Sequence, residues 1–202
     1  MKSTEISPAY ADRRRRLAAA LGDGVAVIPT APERVRNRDS HFPYRFDSHF
    51  YYLTGFAEPE AVLVLAAGKS ILFCRERNPE REVWDGFRYG PERARERFGF
   101  DAAHPIDELD EALPQFLENQ SALFYPVGDD AEWDARAMRW LNAVRAKVRA
   151  GIAAPDRVGR AHADRRPAPV QGRARAEPDA PRGAHRRRRA PPRHAVDARR
   201  AQ

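Results

Sequence analysis

No stretch of this 202-residue chain approaches 18 consecutive apolar residues, which excludes a membrane-spanning helix. Glu5 and Pro8 stand where a secretory leader would carry its apolar core, so no leader is expected. Cysteine is almost absent: Cys74 is the only one, which rules out a disulfide framework. It closes a strand-like run, ILFC, with no activating base in view, and is read as a small buried hydrophobe rather than a nucleophile. A soluble, cytoplasmic protein with no membrane partner is the expectation.

A second absence divides the chain. Residues 152–202 contain no Leu, Phe, Tyr, Trp, Met or Lys, and are dominated by Arg, Ala and Pro. They hold 14 Arg against 5 acids, a surplus of +9, so of the total of +7 the first 151 residues carry −2. Without large apolar groups such a segment cannot offset the conformational entropy lost on folding. Disorder is therefore expected over 156–202, and one domain over 1–155. A chain of about 150 residues with regular Leu, Val, Phe and Trp can bury roughly 70% of its unfolded surface.

Within that domain helical and strand patterns alternate, which predicts an α/β fold. Ser7 and Pro8 open a helix that bears Tyr10, Leu17 and Leu21 on one face and stops at Gly22. Arg13 to Arg16 lie inside it and are read as a solvated face. VAVIP predicts a buried strand, and AVLVLAAGKSILFC a hairpin turning at Ala67 to Ser70. A short helix is expected from Pro91, a helix over Asp107 to Glu118 interrupted at Pro114, and a strand in SALFYPV. The longest helix is expected over Asp129 to Arg149, with Trp133, Ala137, Trp140, Leu141, Val144 and Val148 on its packed side.

The stretch RDSHFPYRFDSHFYYLTGF, Arg38 to Phe56, prints Asp-Ser-His-Phe twice. Asp39, His41, Asp47 and His49 are metal-ligating types, but nothing in their spacing fixes a coordination geometry as it does in a zinc knuckle or an EF-hand. The simpler reading is a polar loop whose Asp and Ser satisfy local backbone donors, leading into a strand FYYLTGF.

The longer text RNRDSHFPYRFDSHFYYLTGFAEPEAVLVL, Arg36 to Leu65, and EVWDGFRYG, Glu82 to Gly90, resemble the N-terminal domain of aminopeptidase P, the Xaa-Pro aminopeptidases. The likeness rests on Arg-Asn-x-Asp-Ser, Pro-Tyr-Arg, Thr-Gly-Phe-x-Glu-Pro-Glu-Ala-Val and Glu-x-Trp-x-Gly-x-Arg-x-Gly, and covers about residues 5–155. His41 and His49 fall at variable positions of that pattern.

The resemblance implies a mixed sheet flanked by helices, like the N-terminal domains of creatinase, prolidase and aminopeptidase P. It also implies that this part of the enzyme is not catalytic. In the family two Asp, one His and two Glu of a C-terminal domain hold two metal ions, usually manganese, and these activate the water that attacks the bond before proline. That domain is expected to be absent from this chain, leaving no catalytic or metal-binding residue, no cofactor, and no hydrolysis by the chain alone.

Codons for 169–186 can be chosen that, read one base later, spell LFKDAPELSLMRRAAHIA, which resembles the family's linker, so the tail is expected to be out of frame. By the same resemblance Asp39 and Trp84 border the substrate channel, in part from a neighbouring subunit. Self-association is expected, with a peptide substrate only in an intact enzyme. The alternatives are a stand-alone oligomerisation or binding module, and weak non-specific adhesion of the Arg-rich tail to nucleic acid. The tail has neither aromatics for stacking nor a recognition fold for specific nucleic-acid binding.

Overall fold

The structure, a computed structural model, describes residues 8–38, 40–78, 80 and 86–161. All of these fall in one compact unit, Met1–Pro167. Ser7, Asp39, Trp84 and the expected tail from residue 162 onward lie outside the described residues.

Three strands with apolar runs build the centre: β1 (Gly24–Pro29), β4 (Val62–Ala66) and β5 (Lys69–Cys74), the last apolar from Ile71 on. Successive side chains of a strand point to opposite faces, so an uninterrupted apolar run needs cover on both sides. Val25, Val27, Val62, Val64, Ile71 and Phe73 enter one core, while Ala26, Ile28, Leu63, Leu65, Leu72 and Cys74 enter the other. Helices α1 (Ala9–Leu21), α2 (Ser48–Thr54) and α3 (Gly90–Phe98) cover the second face through Leu17, Phe50, Leu53, Ala94 and Phe98. The first face is covered by α4 (Leu109–Leu117) and α5 (Ala131–Arg145), through Leu109, Leu113, Leu117, Trp140, Leu141 and Val144.

The strands β6 (Ala102–Pro105), β7 (Ala122–Phe124) and β8 (Arg157–Gly159) complete a sheet in the order β6-β5-β4-β1-β7-β8. Only β4 runs against the others: it is antiparallel to β1 and β5, while β6, β7 and β8 join in parallel. The expected mixed sheet flanked by helices is the fold. A separate two-stranded antiparallel ribbon, β2 (Val35–Asn37) with β3 (Ser40–His41), follows β1 in the chain.

Several local expectations are corrected. FYYLTGF is not a strand but most of α2. Asp47 caps it by accepting from the Phe50 amide at 2.7 Å, Phe50, Leu53 and Thr54 are buried at helical spacing, and Gly55 ends it at φ +67°. A Cβ on Gly55 would meet the Tyr10 ring at 2.9 Å, so both its conformation and its neighbour require glycine.

The arginine run is not a uniformly solvated face. Arg15 and Arg16 are exposed, but Arg14 is buried at 2% exposure, and Arg13 lies 4.0 Å over the Tyr52 ring. Pro114 does not interrupt α4, because Leu109, Leu113 and Leu117 all stay buried on one side of it. Val148 falls outside the last helix, in a 3-10 turn, 67% exposed. Finally, β8 adds residues beyond 155 to the sheet, its Gly159 carbonyl accepting from the Tyr125 amide at 2.9 Å. Among the described residues no helix is long and apolar enough to cross a membrane.

Candidate functional site

The carboxyl ends of β1 and β5 carry the loops in which the family-like motifs sit. Beyond β1 the Thr30 amide donates to the Ala61 carbonyl at 2.9 Å, which ties the loop to β4. The Tyr44 hydroxyl donates to the Ala31 carbonyl at 3.2 Å and meets Thr30 Oγ1 at 2.8 Å. Half-buried, that phenol has its pKa pushed up by loss of water. Tyr44 thus fastens the returning chain, 42–47, to the end of β1 just before Asp47 starts α2.

Between the two limbs of this loop lies a groove of about 390 Å³ lined by Pro32, Arg34, Phe42, Tyr44, Arg45 and Phe46, among others. Phe46 stacks on Tyr51 at 4.0 Å, and Arg36 sits 6.0 Å from the centre of the Phe42 ring. Arg34 and Arg45 make no ion pair among the described residues. Aromatic walls beside two uncommitted guanidinium groups suit recognition of a chain with apolar side groups and a negative charge.

The neighbouring rim is built from opposed charges. Arg75, just past β5, forms a forked pair with Glu60 and reaches Glu33 at 3.1 Å. This pairing holds the Glu60 carboxyl below its usual range.

Glu58 is different. Its Oε1 accepts from the Tyr89 amide at 2.9 Å, but its buried Oε2 has no hydrogen-bond partner. Burial pushes its pKa up, against the pull of the Tyr89 amide, Arg88 and Arg75. Arg88 likewise has a buried Nε without a partner.

Gly90 closes the neck of the loop. At φ +69°, any Cβ there would lie 3.0 Å from Arg77 Cβ and 3.2 Å from its backbone nitrogen. The chain leaving β5 and the chain entering α3 therefore cross in close contact, with Glu58 holding the returning limb.

Asp39 and Trp84, the two residues expected at the channel, both lie outside the described residues; their described neighbours are Arg38 and Ser40, and Gly86. Of the other metal-ligating types, His41 is exposed on β3, and Asp47 is committed to the Phe50 amide of α2. His49 lies half-buried within α2. Among the described residues no group of three or more His, Cys, Asp or Glu could hold a metal ion, so these residues do not fit a metal pair. Sequence reasoning missed Glu58, Arg88 and Tyr44 as rim-builders. All three were visible inside the motif words, but their burial and partners depend on loops meeting across the sheet.

Residues 10–125 match the family described as aminopeptidase P, N-terminal domain. The chain is 38% identical to the Xaa-Pro aminopeptidase of Escherichia coli over 159 residues, covering 75% of this chain and 36% of that protein. It is 39% identical to the Xaa-Pro aminopeptidase of Haemophilus influenzae over 121 residues, 57% of this chain and 28% of that one. Among solved structures, aminopeptidase PepP of Pseudomonas aeruginosa superposes with a TM-score of 0.72 at 42% identity, over 77% of this chain and 37% of its own. Zinc-substituted E. coli aminopeptidase P in complex with product gives 0.72 at 35% identity, over 78% and 37%. The chain thus spans about a third of the length of these relatives.

Proposed function

The chain belongs to the aminopeptidase P N-terminal domain family, and from that premise we propose that it serves an Xaa-Pro aminopeptidase as a binding and assembly module, not as the seat of bond cleavage. The observation that carries this is the pairing of a whole-domain match with a rim built for recognition. The groove beside β1 offers aromatic walls and cations that are unpaired among the described residues, with no nucleophile held against a base among them. Removal of an N-terminal residue before proline is the activity of the whole enzyme in this reading. A manganese pair, which would activate the attacking water, belongs to the part of the relatives that this chain does not span.

Asp39 and Trp84 then act by contact with the peptide. A carboxylate at 39 attracts the amino end by charge, and an indole at 84 supplies an apolar wall for residues after proline. The same rim, with Phe42 at 52% and Phe87 at 55% exposure, is where copies of the chain associate, since exposed aromatics of this size favour burial. A cytoplasmic setting accords with a chain that has a single cysteine, Cys74, and so no internal disulfide.

The purified 202-residue chain, given excess manganese and an Xaa-Pro tripeptide, is expected to release no first residue. Metal-dependent release that a chelator abolishes, and that persists after removal of host peptidases, would overturn this division of labour.

A further inference from the structure

At the end of the sheet opposite this rim, α1 passes over the β4–β5 turn and leaves a groove of about 240 Å³ lined by Arg14, Arg15, Gly68, Lys69, Ser70 and Asp101, among others. Its charges are unequal. Arg14 is 2% exposed and spends its terminal nitrogens on three carbonyls: Leu53 at 3.1 Å, Phe98 at 3.0 Å and Gly99 at 2.5 Å. Among the described residues no carboxylate pairs with it directly, and its buried Nε has no hydrogen-bond partner. The cation is therefore held by carbonyl dipoles and by the Phe100 ring, 4.4 Å beneath it, and burial lowers its pKa to about 10, with the field of Asp101 opposing the shift.

Asp101 is already committed. Its Oδ2 accepts from both the amide and the hydroxyl of Ser70 at 2.7 Å, which, together with Arg14, keeps its carboxyl below the usual range despite desolvation. Lys69 is exposed and makes no ion pair among the described residues. Arg15 pairs only with Asp12, on the solvent side. Three cations thus face the groove against one carboxylate inside it and one at its margin.

We propose that this groove binds a small dianionic oxyanion of the phosphate class. The under-compensated Arg14 supplies a fixed positive field from below, and Lys69 and Arg15 close on the oxygens from solvent. A dianion suits the site better than chloride because oxygens in several directions can accept from separate donors at once. The open turn at Gly68, where φ is +74° and no atom lies within 4 Å of a would-be Cβ, leaves the approach unobstructed.

The test is calorimetric titration of the full chain with inorganic phosphate, repeated with sodium chloride at matched ionic strength, on wild type, Lys69→Glu and Lys69→Ala. Saturable phosphate binding is expected in wild type, weakened about tenfold by Lys69→Glu and less by Lys69→Ala. Circular dichroism checks that each variant is folded; Lys69→Ala alters only an exposed side chain and keeps the test valid if the glutamate misfolds. The basic segment beyond residue 161 is common to all three proteins, so its contribution cancels. Equal heats for phosphate and chloride, or phosphate binding unchanged in both folded variants, would overturn the proposal.

Discussion

A guanidinium inside a core can satisfy several carbonyls at once, which no apolar side chain of similar size can do. Arg14 bonds to carbonyls of α2 and of the end of α3, and so joins three helices on one face of the sheet. Its replacement by Met fills the space but leaves the buried carbonyls of Leu53 and Phe98, and the part-buried one of Gly99, without that donor. That substitution is expected to cost about 3–5 kcal/mol in urea unfolding; a loss under about 1 kcal/mol would mean that water reaches those carbonyls.

Glu58 poses the opposite case. Its folded-state pKa is raised above the usual 4.5 by burial, so the folded protein holds the proton more tightly than the unfolded chain. The group therefore supports folding below about pH 4.5 and withdraws that support as pH rises through the raised value. The groups facing it are Arg88, Arg75, Cys74 and the Tyr89 amide. Glu58→Gln keeps an acceptor for that amide and removes the buried charge. Its unfolding midpoint is expected to equal or exceed wild type at pH 7, with the difference shrinking toward pH 4. A variant clearly weaker at pH 7 would show that attraction to the two arginines outweighs desolvation.

At the scale of elements, what could be read in advance follows from how local the cause is. β1, β4 and the Ile71 to Cys74 part of β5 are unbroken apolar runs, and such runs have few alternatives to a sheet covered on both faces. α2 was legible in principle, since Asp47 and Gly55 are start and stop signals at helical separation. The aromatic text between them favours strand by propensity, and burial of Phe50, Leu53 and Thr54 at steps of three and four overrode it. α4 tolerates Pro114 because one missing amide costs less than losing the leucine face.

The edge strand β8 could not be read, because three residues in arginine-rich text carry no periodicity. Its pairing is expected to matter for stability. A chain ending at residue 161 should unfold about 1–3 kcal/mol higher than one ending at 155, which loses the Tyr125–Gly159 bond and the cover on β7. Equal thermal unfolding of the two would place the limit of the stable fold at 155.

For the molecule as a whole, physical pattern reached the fold class, whereas the family came from wording: Pro-Tyr-Arg, Thr-Gly-Phe-x-Glu-Pro-Glu and Trp-x-Gly-x-Arg-x-Gly. The structure gives those words a shared address. Tyr44, Glu58, Glu60 and Gly90 all meet at the carboxyl ends of β1 and β5, where they fasten two loops to the sheet. The loops themselves carry Asp39 and Trp84. Legibility ends there, because the chain spans only about a third of the length of its Xaa-Pro aminopeptidase relatives.

The direct test is to replace the matched segment of the E. coli Xaa-Pro aminopeptidase with residues 1–161 of this chain and measure kcat/KM on an Xaa-Pro tripeptide. A folded chimera is expected to cleave it, and Asp39→Ala or Trp84→Ala within the graft to lower kcat/KM about tenfold or more, equivalent to about 1.4 kcal/mol of lost transition-state binding. A folded chimera with no turnover, or one indifferent to both substitutions, would contradict a role for this domain in shaping the substrate path.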